Sequence, residues 1–310
     1  MTTRSRQITR RTALSLALSM PALASTSALA QFSIGIGGVS TDDFKNIGKM
    51  LGSLKLDEED EIRIGNANYG AVIDQSGGAY RNRAVQADID RFTAAFFSGT
   101  SRPAFAWEAT VVDNNEINAW VLPGGKIGLN KGLLRYVANE HELAAVVAHE
   151  MGHAEMSHAI GEMKKASFAD GLTGVAQKAL VSELDGSAGA LAGAAVASGP
   201  LKRLVTSGYS RKNELEADSH ILTVFDRTGH DVRKGCAFYE TLLEVIPRKA
   251  KGTTSLFAGH PDTQKRLDEL MAAAADRPEI QTFAPLPGTD AFASVKQTFP
   301  TRAHYLRNQG

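Results

Sequence analysis

The chain contains almost no cysteine: Cys236 is the only one among its 310 residues. A single thiol excludes an intrachain disulfide. The residue directly after Ala30 is Gln31, so a lipid-carrying cysteine is excluded there as well. Cys236 lies in "VRKGCAFYETLLEVI", a segment with a helical pattern. We expect Cys236 to be a small residue buried in the core.

An excess of charge of one sign is also missing, because 34 Lys and Arg residues balance 34 Asp and Glu residues. Nucleic-acid-binding proteins carry a clustered basic face, so no nucleic-acid partner is expected. Two apolar stretches, "ALSLALSM" and "GSAGALAGAAVASG", are too short to cross a bilayer. The second, residues 186–199, predicts a mobile loop or a helix of small residues; a movable cover over an active site is the alternative.

The first 30 residues have the layout of a secretory signal peptide. An apolar run is preceded by basic residues and followed by small residues that end at Ala30. The basic residues are Arg4, Arg6, Arg10 and Arg11. The paired arginines also resemble a twin-arginine export signal, so the export route stays open, and a disordered N-terminus is the alternative. We expect an exported protein of the periplasm or cell envelope.

Residues 31–54 are expected to form a flexible lead-in, because their first part is glycine-rich. Helical patterns follow in "LDEEDEIRIGNANYGAVID" and "VQADIDRFTAAFF". Three short segments rich in β-branched and aromatic residues come next: "AFAWEATVVD", "EINAWVLP" and "KIGLN". With a tight reversal at "PGG", they predict a small three-stranded antiparallel sheet.

The second half of the chain is mainly helical in pattern. Helices are expected from Ser210 to Gly229, from Val232 to Ile246, and from Pro261 onward. The proline-punctuated residues 278–310 predict an extended tail. Residues 55–277 are therefore expected to form one mostly helical α+β domain with a small antiparallel sheet.

The segment "HEMGHAEMSH", residues 149–158, lies on a predicted helix that begins near Asn139. Residues four apart lie one turn from each other on one face, so His149 and His153 can bind the same metal ion. Glu150 lies about 100° around the helix, where it can reach a water on that ion. His158 would lie on the opposite side and is expected to be a surface or packing histidine.

A catalytic zinc needs a third protein ligand and an open position for water. The helical segment "SRKNELEADSH" offers Glu214 as this ligand, with Asp218 on the same face to orient a zinc-bound histidine or carry a proton. Glu216 lies about 200° from Glu214 and is expected to face solvent.

Four stretches together resemble the gluzincin peptidases that include HtpX, the Oma-type quality-control proteases and the CAAX prenyl endopeptidases. In chain order they are "NAWVLPGGKIGLNKGLL", "NEHELAAVVAHEMGH", "YSRKNELEAD" and "GHPDTQKRL". The resemblance covers roughly residues 55 to 275. It implies a zincin-like fold and one Zn²⁺ per chain.

The resemblance also implies a role for each matching residue. His149, His153 and Glu214 would bind zinc, and Glu150 would be the catalytic base. Asp218 would orient a ligand or donate a proton. His260, in the segment "GHPDTQKRL", would lie near the metal and stabilise the oxyanion or cap the zinc; a structural role at a helix start is the alternative. Arg266 is expected to be a structural ion-pair partner.

The expected function is that of a zinc metalloendopeptidase acting on unfolded or misassembled polypeptides in the bacterial envelope. Many members of the resembling group carry transmembrane helices, and this chain has no such segment beyond its export signal, which favours a soluble exported branch over prenyl-protein cleavage. Association with a membrane surface stays open. A zinc-containing chaperone that seldom cuts is the alternative, and a hydrolase of small molecules is a weaker one.

Overall fold

The computed structural model describes residues 56–169, 208–245, 263–275, 277, 286 and 288–301. All of them belong to one compact unit of the chain. Four of the expectations from the sequence lie outside the described residues. These are the signal peptide at 1–30, the lead-in at 31–54, the small-residue tract at 186–199, and His260.

Three short strands form the central sheet: β1 (Glu108–Val112), β2 (Ala119–Leu122) and β3 (Lys126–Asn130). Strands β2 and β3 are antiparallel and joined by the expected tight reversal. Gly124 and Gly125 have φ angles of 73° and 78° there, a region that glycine enters without steric cost.

The prediction of a fully antiparallel sheet is wrong, because the strand order is β1-β3-β2 and β1 runs parallel to β3. Successive strands still alternate in direction along the chain. The connection at residues 113–118 is long enough to carry β2 past an intervening strand. Strand β3 therefore inserts between β1 and β2, and local sequence patterns do not encode that choice.

Helices cover both faces of the sheet, which confirms the mostly helical α+β class. Within the described residues they are α1 (Glu58–Gln75), α2 (Arg83–Phe97), α3 (Lys131–Leu134), α4 (Glu140–Glu155), α5 (His158–Ala169), α6 (Arg211–Thr228), α7 (Val232–Val245), α8 (Thr263–Ala275) and α9 (Thr289–Thr298). None of the helices in the described ranges is long and apolar enough to traverse a bilayer.

Alternate residues of the strands belong to two separate apolar clusters. Ala119 and Val121 join the larger cluster, which includes α2, α4, α6 and α7. Trp120 and Leu122 join a smaller cluster with α1 and α5. This alternation follows from the two-residue period of a strand. It places the long helix α4 against one face of the sheet, next to β2.

The outer edge of β1 is covered by a side chain. The Gln86 amide donates to the carbonyl of Ala109 (2.7 Å) and accepts from the N–H of Val111 (3.0 Å). The N–H of Tyr80 donates to the carbonyl of Val111 (2.8 Å). Gln86 thus takes the place that a neighbouring strand would otherwise fill.

The prediction of an extended tail over residues 278–310 is wrong at Thr289–Thr298, which form helix α9 against α2. Phe292 packs on Phe92 with ring centroids 6.2 Å apart. Lys296 donates to the carbonyls of Leu134 and Val137, each at 2.8 Å. A ten-residue helix is marginal in isolation, so these tertiary contacts explain why local pattern did not reveal it.

His230 is fully buried between the rings of Phe96 and Phe225, each with a centroid 5.3 Å away, and lies edge-on to His141. The Thr228 hydroxyl donates to the Val224 carbonyl, so the Nδ1–H of His230 donates to that hydroxyl oxygen (2.8 Å). Burial and the nearby His141 lower the pKa of His230 from 6.5 to about 4.

Acid should therefore destabilise the protein through His230. Between its unfolded pKa near 6.5 and its folded pKa near 4, the unfolded chain binds more protons, so stability falls as the pH drops through this window. The full effect is about 3 kcal/mol. We expect His230→Asn, which keeps a donor for Thr228, to lose less stability on acidification in urea titrations at pH 7 and pH 4.5. Equal losses in both proteins would contradict this assignment.

Candidate metal centre

Helix α4 carries "HEMGH", and its start is fixed by two side chains. The Asn139 side-chain oxygen accepts from the N–H of Glu142 (3.0 Å). The Glu142 carboxylate accepts from the N–H of Ala138 (2.9 Å) and from the Asn139 amide (2.8 Å). The expected capping box would instead place Glu142 on the N–H of the cap residue itself. The observed variant still satisfies donors at the helix start.

His149, His153 and Glu214 lie together in the interior. The His149 Nε2 atom is 3.1 Å from His153 Nε2 and 3.4 Å from Glu214 Oε2, and His153 Nε2 is 3.5 Å from Glu214 Oε1. All three residues are buried, and together they offer one ligand atom each within a 4.8 Å span.

These separations fit a single metal ion. Ligand atoms bound tetrahedrally at 2.0–2.2 Å from one ion are about 3.3–3.6 Å apart, close to the three observed distances. Two imidazole nitrogens and a carboxylate also form a donor set that catalytic zinc sites use. The donor chemistry and the geometry agree, so the cluster can hold a zinc ion.

The closeness of α4 and α6 depends on Gly152. A Cβ atom at this position would lie 2.9 Å from the Ala217 Cα atom and 2.9 Å from the His220 Cβ atom. Real Cβ atoms do not approach other atoms so closely, so only glycine allows the two helices to meet here. Helix α6 is capped by Ser210, whose hydroxyl accepts from the N–H of Asn213. The helix places Glu214 in its first turn, opposite the two histidines.

Asp218 and Arg266 lie behind the cluster. Asp218 Oδ1 is 2.9 Å from His149 Nδ1. The other ring nitrogen of His149, Nε2, faces His153. Arg266 donates to both oxygens of Asp218 at 2.7 Å and to Glu214 Oε2 at 2.8 Å. The Tyr239 hydroxyl donates to Asp218 Oδ1 at 2.9 Å. Arg266 is thus a buried ion-pair partner of two carboxylates.

These charges shift the acidities of the buried groups. Burial and Arg266 lower the pKa of His149, but hydrogen bonds to Asp218 and Glu214 outweigh them and raise it to about 9. Burial raises the pKa of Asp218, but Arg266 and His149 hold it well below its usual range. Asp218 is therefore ionised at neutral pH and can accept the Nδ1 proton of His149.

His158 does not lie on the far side of helix α4, where the sequence predicted it. Helix α4 ends at Glu155, Ser157 adopts a positive φ of 54°, and His158 starts helix α5. His158 is buried, and its Nδ1 atom is 2.9 Å from His153 Nδ1. No glycine, asparagine or proline marks the break in "HAEMSHAI", so the sequence carried no signal for it.

Tyr209, just before α6, was not singled out from the sequence either. Its ring stacks face to face on His153, with centroids 3.8 Å apart and an interplanar angle of 16°. Its hydroxyl donates to the carbonyl of Val121 on β2 (3.4 Å). Tyr209 therefore joins a ring of the candidate metal cluster to a carbonyl of strand β2.

Glu150 is 1% exposed and directly follows His149 on α4. Burial, followed by the negative charge of Glu150, raises the pKa of Tyr209 well above the ordinary value. Glu216, expected to face solvent, has a side chain 42% exposed and lies 3.2 Å from His158 Nε2.

Comparison with known proteins identifies the same region. The model described as "Peptidase family M48" matches residues 79–274, more than half of the chain. This range contains both helices that carry the candidate metal cluster, α4 and α6.

Curated relatives align over similar ranges. The chain is 34% identical over 159 residues to "Beta-barrel assembly-enhancing protease" of Escherichia coli (strain K12), covering 51% of this chain and 32% of the relative. It is 30% identical over 189 residues to "Metalloendopeptidase OMA1, mitochondrial" of Bos taurus, covering 59% and 36%. It is 28% identical over 156 residues to "Metalloprotease YcaL" of E. coli, covering 50% and 58%. The chain thus spans about a third of the first two relatives.

Replacement of Gly152 by alanine should separate α4 from α6. We expect an overpacking loss of about 1–3 kcal/mol in the free energy of unfolding, together with weaker zinc binding, because Glu214 would move away from the histidines. Gly161→Ala is the matched control, since its Cβ would meet nothing within 4 Å; it should gain up to about 1 kcal/mol. Thermal denaturation and bound zinc per chain test both. Similar behaviour of the two variants would exclude this role for Gly152.

Replacement of Arg266 by methionine should leave two buried carboxylates uncompensated. We expect a loss of about 3–5 kcal/mol in the free energy of unfolding, measured by urea titration. The control is Lys265→Met on the same helix, whose side chain is 64% exposed; it should change stability by less than about 0.5 kcal/mol. Equal stability of the two variants would show that the buried ion pairs contribute little.

Proposed function

The chain belongs to peptidase family M48, and on this basis we propose that it is a zinc metalloendopeptidase that cleaves unfolded or misassembled polypeptides. The observation that carries the proposal is the buried cluster of His149, His153 and Glu214, with Glu150 on the same helix. A glutamate beside two histidines adds nothing to metal binding, so its presence favours hydrolysis over a purely structural metal.

In this proposal His149, His153 and Glu214 hold one zinc ion. When bound, zinc lowers the pKa of a coordinated water and polarises the substrate carbonyl. Asp218 accepts the Nδ1 proton of His149 and keeps the ring oriented with Nε2 toward the ion, as carboxylates do behind metal-binding histidines.

Glu150 moves the proton. Its carboxylate takes a proton from the attacking water, and the resulting carboxylic acid delivers that proton to the departing amine, so the residue returns to its starting state. His260 is proposed to stabilise the oxyanion, on the basis of the resemblance in "GHPDTQKRL" alone. Asp218 is assigned a positioning role, because it contacts His149, Tyr239 and Arg266.

The substrate is proposed to lie extended along the side of β2 that faces away from β3. Strand β2 is at the edge of the sheet, and the Val121 carbonyl, which accepts from Tyr209, faces away from β3. An added strand pairs through main-chain hydrogen bonds. Such pairing selects for extended backbone more than for particular side chains, which suits unfolded polypeptides.

The proposed site of action is the bacterial cell envelope, after export by a signal at residues 1–30. The support is the basic and apolar pattern of these residues and the likeness to a protease named for enhancing β-barrel assembly. The substrates and partners of the whole protein are part of this proposal.

Glu150→Gln tests the enzyme directly. We expect this variant to bind one zinc per chain like the wild type and to cleave a reduced, unfolded protein about 10²–10⁴-fold more slowly. The matched control is Glu140→Gln at the other end of the same helix, which should cleave at the wild-type rate. Glu214→Ala should lose both zinc and cleavage.

Two results would count against the enzyme. Cleavage by Glu150→Gln at the wild-type rate would remove the proposed base. Tight binding of unfolded polypeptide without cleavage by the wild type, at full zinc content, would favour the chaperone alternative.

A further inference from the structure

The two histidines of the metal cluster are supported differently. His149 has a charged partner behind it, because its Nδ1 atom is 2.9 Å from Asp218. His153 has a second histidine in the equivalent place, with Nδ1 of His158 at 2.9 Å. Both second partners are buried. The proposed function assigns a role to Asp218 and none to His158.

The tautomers of the two rings follow from the direction of the hydrogen bonds. A metal ion between His149 Nε2, His153 Nε2 and Glu214 would bind the unprotonated Nε2 of His153, so the proton of a neutral His153 would lie on Nδ1. His158 Nδ1 must then accept that proton's hydrogen bond. Its own proton lies on Nε2, which is 3.2 Å from Glu216 Oε2 and can donate to it.

We propose that His158 is a positioning residue for the metal centre: it accepts from His153 Nδ1 and is itself held by Glu216. This inference rests on the proposed function, because it concerns the same zinc site. It replaces the expected surface or packing role of His158 with a specific hydrogen-bonding role.

The stacked Tyr209 ring cannot supply the same restraint. A face-to-face contact fixes the plane of the His153 ring. The same plane is kept when the ring is turned by 180° about the Cβ–Cγ bond, which exchanges the positions of its nitrogen and carbon atoms. A hydrogen bond to Nδ1 removes this freedom and holds Nε2 toward the ion. The loss of such partners of metal-binding histidines typically costs 10- to 100-fold in metal affinity.

The helix break at Ser157 is what brings His158 into place. On a continuous helix, residues five apart lie about 140° from each other, so His158 would point away from His153. The positive φ of Ser157 redirects the chain. The Ser157 hydroxyl donates to Glu61 at 2.6 Å, which anchors this turn to helix α1.

Three substitutions at His158 separate the hydrogen bond from packing. Asparagine places its amide oxygen near the position of the histidine Nδ1 atom, glutamine places it further out, and leucine has no acceptor. We expect His158→Leu and His158→Gln to bind Zn²⁺ about 10- to 100-fold more weakly in a chelator competition. His158→Asn should stay within a few-fold of the wild type.

A spectroscopic measurement reports on ligand geometry without relying on activity. The visible absorption bands of the Co²⁺-loaded protein should change in the leucine and glutamine variants and return in the asparagine variant. His230→Asn is the control for loss of a buried histidine outside the centre and should leave the spectrum unchanged. If His158→Leu fails to fold, the His158→Asn and His158→Gln variants still test whether an acceptor at the Nδ1 position is needed.

The inference is overturned if the folded glutamine and leucine variants bind Zn²⁺ and Co²⁺ like the wild type, or if asparagine is as weak as glutamine. The proposed function fails separately, if the wild type itself binds no zinc or if zinc binding survives in Glu214→Ala. Tight zinc binding by the wild type combined with unaltered His158 variants therefore overturns only the positioning role.

Discussion

The close contact of helices α4 and α6 at Gly152 is the constraint on which the metal centre depends. The two histidines belong to one helix and Glu214 to the other, so the distance between the helices sets the size of the cluster. A side chain at position 152 would collide with Ala217 and His220. One residue without a side chain thus determines whether three ligands can share an ion.

The same interface holds an unusual amount of buried charge, which requires internal compensation. Arg266 bonds both Asp218 and Glu214, and Asp218 in turn bonds His149. The site is therefore a connected set of ionic and hydrogen-bonding groups enclosed by an apolar core. Such preorganisation holds the metal-facing nitrogens in place before any ligand arrives.

The sequence predicted the features that depend on local spacing. Helix α4 followed from apolar periodicity and its cap Asn139, and helix α6 from Ser210 and Gly229 at its ends. The residues that cluster were identified by their spacing on these helices together with the family resemblance. Three features with non-local causes were missed. Strand β1 pairs with β3 only because of how the chain crosses the sheet, helix α9 forms against α2, and Ser157 adopts a positive φ within a segment that has no helix-breaking residue.

The Gln86 side chain at β1 limits the positions at which another strand can pair with the sheet. Because its amide already bonds Ala109 and Val111, it closes that margin of the sheet to any incoming backbone. In the part of the chain that the structure describes, β2 forms the opposite margin of the sheet, where the proposed substrate strand would pair. Pairing of two copies through β1 would first have to displace the Gln86 side chain, which protects against polymerisation.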